Sequence, residues 1–130
     1  MLCFTGEKGE IMKPYKVGNL KIEVIENDSV IELVWLGKSD DREPSNTLTP
    51  FFSDLIQELK GQKVVIDFVR LSYMNSSTVR PILQMTQKFN AEGISTTIFY
   101  DPSVTFQRTS FSAIEMLTKE MSYIKVEPKL

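Results

Sequence analysis

The 130-residue chain contains no histidine. The side chain that most often serves as general base and transition-metal ligand is therefore missing. There is one cysteine, Cys3, so no internal disulfide forms and nothing requires an oxidising compartment. Zinc centres and Cys–His nucleophiles lack their usual parts. A Gly-rich phosphate loop is also absent, because Gly6 and Gly9 are followed by no strand–turn–helix pattern. The longest apolar run falls far short of a bilayer span. Met1-Leu2-Cys3-Phe4 gives way to polar residues at Thr5, without the apolar core of a signal peptide. Positive charge is not in excess. Fifteen Lys and Arg face seventeen Asp and Glu, for a net charge of −2. The basic residues are scattered, whereas a nucleic-acid partner would require a basic face. Together these absences predict a cytoplasmic protein with no metal or cofactor, no membrane span and no nucleic-acid partner. An enzyme built from this chain would have to work with Asp, Glu, Lys, Arg, Ser and Tyr, and the expectation is a non-enzymatic protein.

What is present is an ordinary globular composition, 42% apolar and 25% charged. A chain of this size folds as one domain and buries roughly two-thirds of its unfolded surface. Residues 1–19 read as an irregular N-terminal segment with Pro14 and Gly18 as breakers, and Met12 is a second candidate start. Residues 20–130 read as the folded domain. Leu20, Ile22 and Val24 alternate with Lys21 and Glu23, which predicts a half-buried strand. The turn signal Asn27-Asp28-Ser29 and the β-branched run Val30 to Leu36 complete a hairpin.

Gly37 to Asn46 reads as a long polar loop, a solvated crossover or a partner-contacting segment. Thr49-Pro50 has the form of an N-cap followed by proline at the first helical position. Phe51, Phe52, Leu55, Ile56 and Leu59 then share a helix face that Gly61 terminates. Val64 to Phe68 is apolar nearly throughout, as in a central strand covered on both faces. Val79, Ile82, Leu83, Thr86 and Phe89 keep helical spacing, closed by Glu92-Gly93. Thr96 to Tyr100 is another strand. Phe111, Ile114, Leu117 and Met121 mark a last helix, with a capping box at Ser112 to Glu115. Tyr123 to Val126 adds a short edge strand. The order β-β-α-β-α-β-α, with a final β, predicts an α/β fold with a mixed four- to five-stranded sheet packed against helices.

Between the central strand and the second helix lies Asn75-Ser76-Ser77-Thr78. Its three hydroxyls fall at or next to a helix N-terminus, where free N–H groups and the dipole favour negative charge. The motif suits three uses: capping the helix, holding an anion, or receiving a phosphate. Pro81 cannot bond back to the Ser77 carbonyl, which predicts an irregular first turn.

Leu71-Ser72-Tyr73-Met74-Asn75-Ser76-Ser77-Thr78, directly after Val65-Ile66-Asp67-Phe68, resembles the STAS domain of bacterial anti-sigma-factor antagonists. In that family a hydrophobic strand and a short linker lead to Asp-Ser-Ser-Gly opening a helix. The resemblance extends from about Leu20 to the last helix by element order. It implies a regulatory binding protein phosphorylated on the first serine of the motif, here Ser76, with Ser77 and Thr78 as alternates. The implied kinase is a serine/threonine kinase that is itself the anti-sigma partner, and a PP2C-type phosphatase reverses the modification. Asn75, Ser76, Ser77, Thr78 and Arg80 would form the partner-contacting surface. Asn75 stands where the family has Asp, and Thr78 stands where it has Gly, adding bulk where a partner would approach. The Asn-Ser-Ser variant resembles that of STAS-like phosphoregulators that do not necessarily act on a sigma factor. Two other readings stay open at this point. One is a STAS-like module that homodimerises or binds a small ligand without phosphorylation. The other is an enzyme or nucleotide binder using the same helix end.

Overall fold

The computed structural model of the chain describes residues 10–129. The readings placed on Cys3, Gly6 and Gly9 lie outside them. Among the described residues seven strands form one mixed sheet: β1 (Glu10–Val17), β2 (Leu20–Asn27), β3 (Val30–Ser39), β4 (Lys63–Asp67), β5 (Leu71–Met74), β6 (Thr96–Tyr100) and β7 (Ile124–Pro128). Three helices accompany them: α1 (Ser45–Leu59), α2 (Val79–Ala91) and α3 (Thr105–Leu117). The strand order is β1-β2-β3-β4-β6-β7, antiparallel through β3 and parallel from there on. β4 lies inside the sheet between β3 and β6, as its apolar composition predicts, but it is not covered on both faces, and Val65 is only partly buried.

Two strands exceed the expected four or five. β1 occupies part of the segment expected to be irregular. Pro14 has no N–H for a ladder, but β1 is an edge strand whose register slips between Met12 and Tyr15, and the slip accommodates the proline. Gly18, at φ +59°, then opens the tight turn into β2. The second addition is β5, which pairs in parallel with the far end of β3, beyond the stretch that pairs with β4. β3 thus holds two consecutive strands along one flank. Four residues are too few to carry a readable period.

Two helices begin earlier than their sequence signals indicate. α1 starts at Ser45, where the Pro44 carbonyl accepts the Leu48 N–H at 2.9 Å. Pro50 lies inside the helix, and the expected loop from Gly37 to Asn46 contracts to residues 40–44. Leu48, fully buried, extends the apolar face of Phe52, Leu55, Ile56 and Leu59 by one turn, which drives the earlier start. α3 starts at Thr105, so Ser112 and Glu115 lie mid-helix rather than in a capping box, and Met121 falls beyond its end. The Asp101 carboxylate accepts the Ser103 N–H at 2.9 Å and hydroxyl at 2.7 Å, turning the chain towards the helix. Leu117, expected on the buried face, is exposed together with Met116.

One core joins the three helices to a single face of the sheet. It contains Ile22, Leu33, Trp35, Ile66, Phe68 and Ile98 from the strands, with Phe52, Ile82, Phe89 and Phe111 from the helices. Trp35 packs against Phe52 and Phe68, and Phe68 against Phe111. Burying one such side chain contributes about 1.5–3 kcal/mol. The Trp35 indole N–H has no acceptor among the described residues, and a buried donor left so costs about 1–3 kcal/mol. β4, β5 and α2 are consecutive along the chain, so the rigid centre of the sheet sets the position of residues 75–78.

Candidate functional site

β5 ends at Met74, a buried residue, and the chain leaves the sheet at Asn75. Asn75 is extended, φ −81° and ψ 167°, and caps a single 3-10 turn, Ser76–Thr78, that runs directly into α2. The irregular first turn anticipated from Pro81 is this 3-10 turn. Pro81 itself is buried at the third position of α2, still within its first turn.

The four motif residues separate into two pairs. Ser76 and Ser77 are exposed, and neither hydroxyl is held by a partner among the described residues. Asn75 and Thr78 are structural. The Asn75 carboxamide oxygen accepts the Thr78 N–H at 3.1 Å and the Thr78 hydroxyl at 2.7 Å. Thr78 is fully buried, and its hydroxyl lies 2.7 Å from that of Ser39, at the end of β3. The bulk of Thr78 therefore points into the fold and not towards an approaching partner. On the folded chain the Ser76 and Ser77 side chains are accessible and that of Thr78 is not. Arg80 is exposed on the first turn of α2, and Tyr73 is exposed at the end of β5. Ser76, Ser77, Tyr73 and Arg80 are thus exposed within one short stretch of chain.

Residues from the polar segment 37–46, read above as a crossover or a partner-contacting loop, meet the motif here, although neither Ser39 nor Asp41 was singled out. Asn75 Nδ2 donates to the Asp41 carbonyl at 2.7 Å, and the Asn75 N–H donates to the Ser39 carbonyl at 3.0 Å. The connection between β3 and α1 is thereby fastened to the serine motif. Gly37 makes this possible. It adopts φ +88° and lies so close to the Asn19 carbonyl that a Cβ would collide with it. The bend shifts the register, and Lys38 and Ser39 pair with Tyr73 and Met74. A serine at a strand end and a polar loop carry no spacing signal that would mark them.

No protein-family model matches this sequence, and no curated protein matches it. Solved structures do. One is a serine-to-glutamate variant of RsbS from Moorella thermoacetica, 12% identical, with a TM-score of 0.53 over 84% of this chain and 87% of that one. RsbS is a STAS-domain protein resembling the anti-sigma-factor antagonists. The chain has the STAS fold. At that identity the likeness shows the fold alone. Within the STAS fold of this chain, Asn75-Ser76-Ser77-Thr78 stands at the start of α2, where the motif resemblance expects a regulatory serine. Among the described residues no helix is long and apolar enough to cross a membrane, and no cluster of acidic, cysteine or histidine side chains has a metal-binding arrangement.

A second surface feature lies beside the site. An open groove of about 470 Å³ runs between α1 and α2, lined by Thr49, Phe52 and Ser53 from α1 and by Pro81, Gln84, Met85, Gln87, Lys88 and Ala91 from α2.

Proposed function

We propose that this chain is a non-enzymatic regulatory protein of bacterial signalling that binds a serine kinase of the anti-sigma type and is switched by phosphorylation of Ser76. A PP2C-type phosphatase resets it in the cytoplasm. The observation that carries this reading is the division within the motif. Ser76 presents an exposed hydroxyl, without a partner among the described residues, at the start of a helical segment, while Asn75 and Thr78 hydrogen-bond to each other beneath it.

The physical logic needs no change of shape. A phosphate adds about −1.5 to −2 charges and strong acceptor oxygens. At a helix N-terminus the dipole favours that charge by about 0.3–1 kcal/mol, so the fold tolerates it. Against a docked partner the same group brings volume and charge that must be desolvated. A loss of about 2.8 kcal/mol of binding is a roughly hundredfold switch. Tyr73 and Arg80, exposed on either side of Ser76 in the chain, supply an aromatic and a guanidinium contact of the kind that dominates interfaces.

The test is titration of the cognate kinase with three forms of the chain. Ser76→Ala should bind as the unmodified protein does and resist phosphorylation. Ser76→Asp should bind more weakly, though less so than the phosphoprotein, because a carboxylate carries less charge. Equal affinity for all three would sink the switch. The α1–α2 groove favours one alternative, a STAS-like module that binds a small apolar ligand without phosphorylation. That reading gains if mutation of Phe52 or Met85, but not of Ser76, alters signalling output.

A further inference from the structure

We infer that Asn75 is a positioning residue that makes the loop of residues 40–44 and the Ser76–Ser77 segment one recognition surface. The direction of each hydrogen bond around it follows from the donors available. Asn75 Oδ1 receives two donors from Thr78, the backbone N–H at 3.1 Å and the hydroxyl at 2.7 Å. Having given its proton to Asn75, the Thr78 hydroxyl accepts from Ser39, 2.7 Å away. Asn75 Nδ2 is then left to donate to the Asp41 carbonyl at 2.7 Å. Position 75 must accept on one side and donate on the other. A carboxamide does both, and an ionised carboxylate only accepts.

This accounts for the departure of Asn75 from the Asp of the motif it resembles. An aspartate here would keep the helix cap and set an anionic oxygen against the Asp41 carbonyl. The loop would lose this tether, while the Asn75 N–H bond to the Ser39 carbonyl and the Asn19 Nδ2 bond to the Asp40 carboxylate at 3.1 Å would remain. Asp40, Asp41, Arg42 and Glu43 are all exposed on the tethered loop. A partner that docks on Ser76 therefore also meets these charges, in a fixed arrangement. The coupling itself does not depend on modification of Ser76. Its use in partner choice rests on the function proposed above.

The test uses the full chain and no partner. Heteronuclear NOEs of residues 40–43 and the carbonyl carbon shift of Asp41 would be measured in the native protein, Asn75→Asp and Asn75→Ala, at pH about 7.5 and about 2.5, either side of the usual carboxyl range. The charged and titratable residues on the segments that meet at position 75 are Asp40, Asp41, Arg42 and Glu43 on the loop, Lys38 on β3, Tyr73 on β5 and Arg80 on α2. All are common to the three proteins, so Asn75→Ala reports their own titration. At neutral pH both variants should show a mobile loop and a shifted Asp41 carbonyl signal. On acidification Asn75→Asp should return towards the native values, because a protonated carboxyl can donate to Asp41, while Asn75→Ala should not. If Asn75→Ala does not fold, Asn75→Ser replaces it, keeping a cap oxygen that is too short to donate to Asp41. A loop that stays ordered in the variants at neutral pH overturns the inference. So does an Asn75→Asp protein that recovers no more than the control. Neither result bears on whether Ser76 is phosphorylated, so the two ideas fail separately.

Discussion

At the residue scale, hydroxyl chemistry in residues 76–78 is divided by burial. Three hydroxyls stand in a row in the sequence, and nothing in their order tells which one the fold consumes. That depends on Ser39, distant in the chain, meeting Thr78 across the end of the sheet. The helix start and the cap at Asn75 were legible from the residue types. The buried chain from Ser39 through Thr78 to Asn75 was not, because a side-chain network between remote segments leaves no period in either. The division has a stability consequence. Thr78→Val keeps the shape and removes the hydroxyl, leaving the Ser39 hydroxyl without its buried partner, and should cost about 1–3 kcal/mol. Ser77→Ala should change stability by less than about 0.5 kcal/mol. Urea unfolding of the two variants decides the matter. Similar costs would mean that Thr78 is no more structural than its neighbour.

At the element scale, the strands and helices that announced themselves were those with one buried face and a clear period. The β2–β3 hairpin, β4, α2, β6 and the edge strand β7 stand where the pattern of apolar residues puts them. The elements that were missed or misplaced carry polar or proline-containing ends. Pro14 conceals β1, the run Ser45-Asn46-Thr47 conceals the first turn of α1, and Asp101-Pro102 followed by polar residues conceals the start of α3. In each case tertiary packing overrides local propensity. β5 depends most on its surroundings, since its pairing with β3 follows the bend at Gly37. Gly37→Ala forces a left-handed φ on a residue with a Cβ and drives that Cβ into the Asn19 carbonyl. The variant should lose about 1–3 kcal/mol or more. The loss should be accompanied by chemical-shift changes in residues 38–39 and 71–74. A variant as stable as the native chain, with those shifts unmoved, would show that β5 does not depend on the bend.

At the scale of the whole molecule, the absence of histidine leaves no described side chain with an ordinary titration between about pH 5.5 and 8.5. Stability should be flat across that window. Above it Tyr15 contributes. Burial raises its phenol pKa above the ordinary 10.0 and the charge of Asp41 adds to this, against a hydrogen bond with Thr47 that lowers it. A raised folded-state pKa means stability that is complete below the ordinary value and lost as pH climbs through the folded-state one. The melting temperature should therefore fall on the alkaline side, and Tyr15→Phe should remove part of that fall. An unchanged alkaline limb in the variant would contradict the assignment. The function proposed above takes as its input a covalent charge at the exposed Ser76 hydroxyl. The most direct test of that claim is phosphopeptide mapping of the full chain after incubation with its cognate serine kinase and ATP. The account predicts label on Ser76, abolished in Ser76→Ala. Label confined to residues outside the Ser76–Thr78 stretch would contradict it.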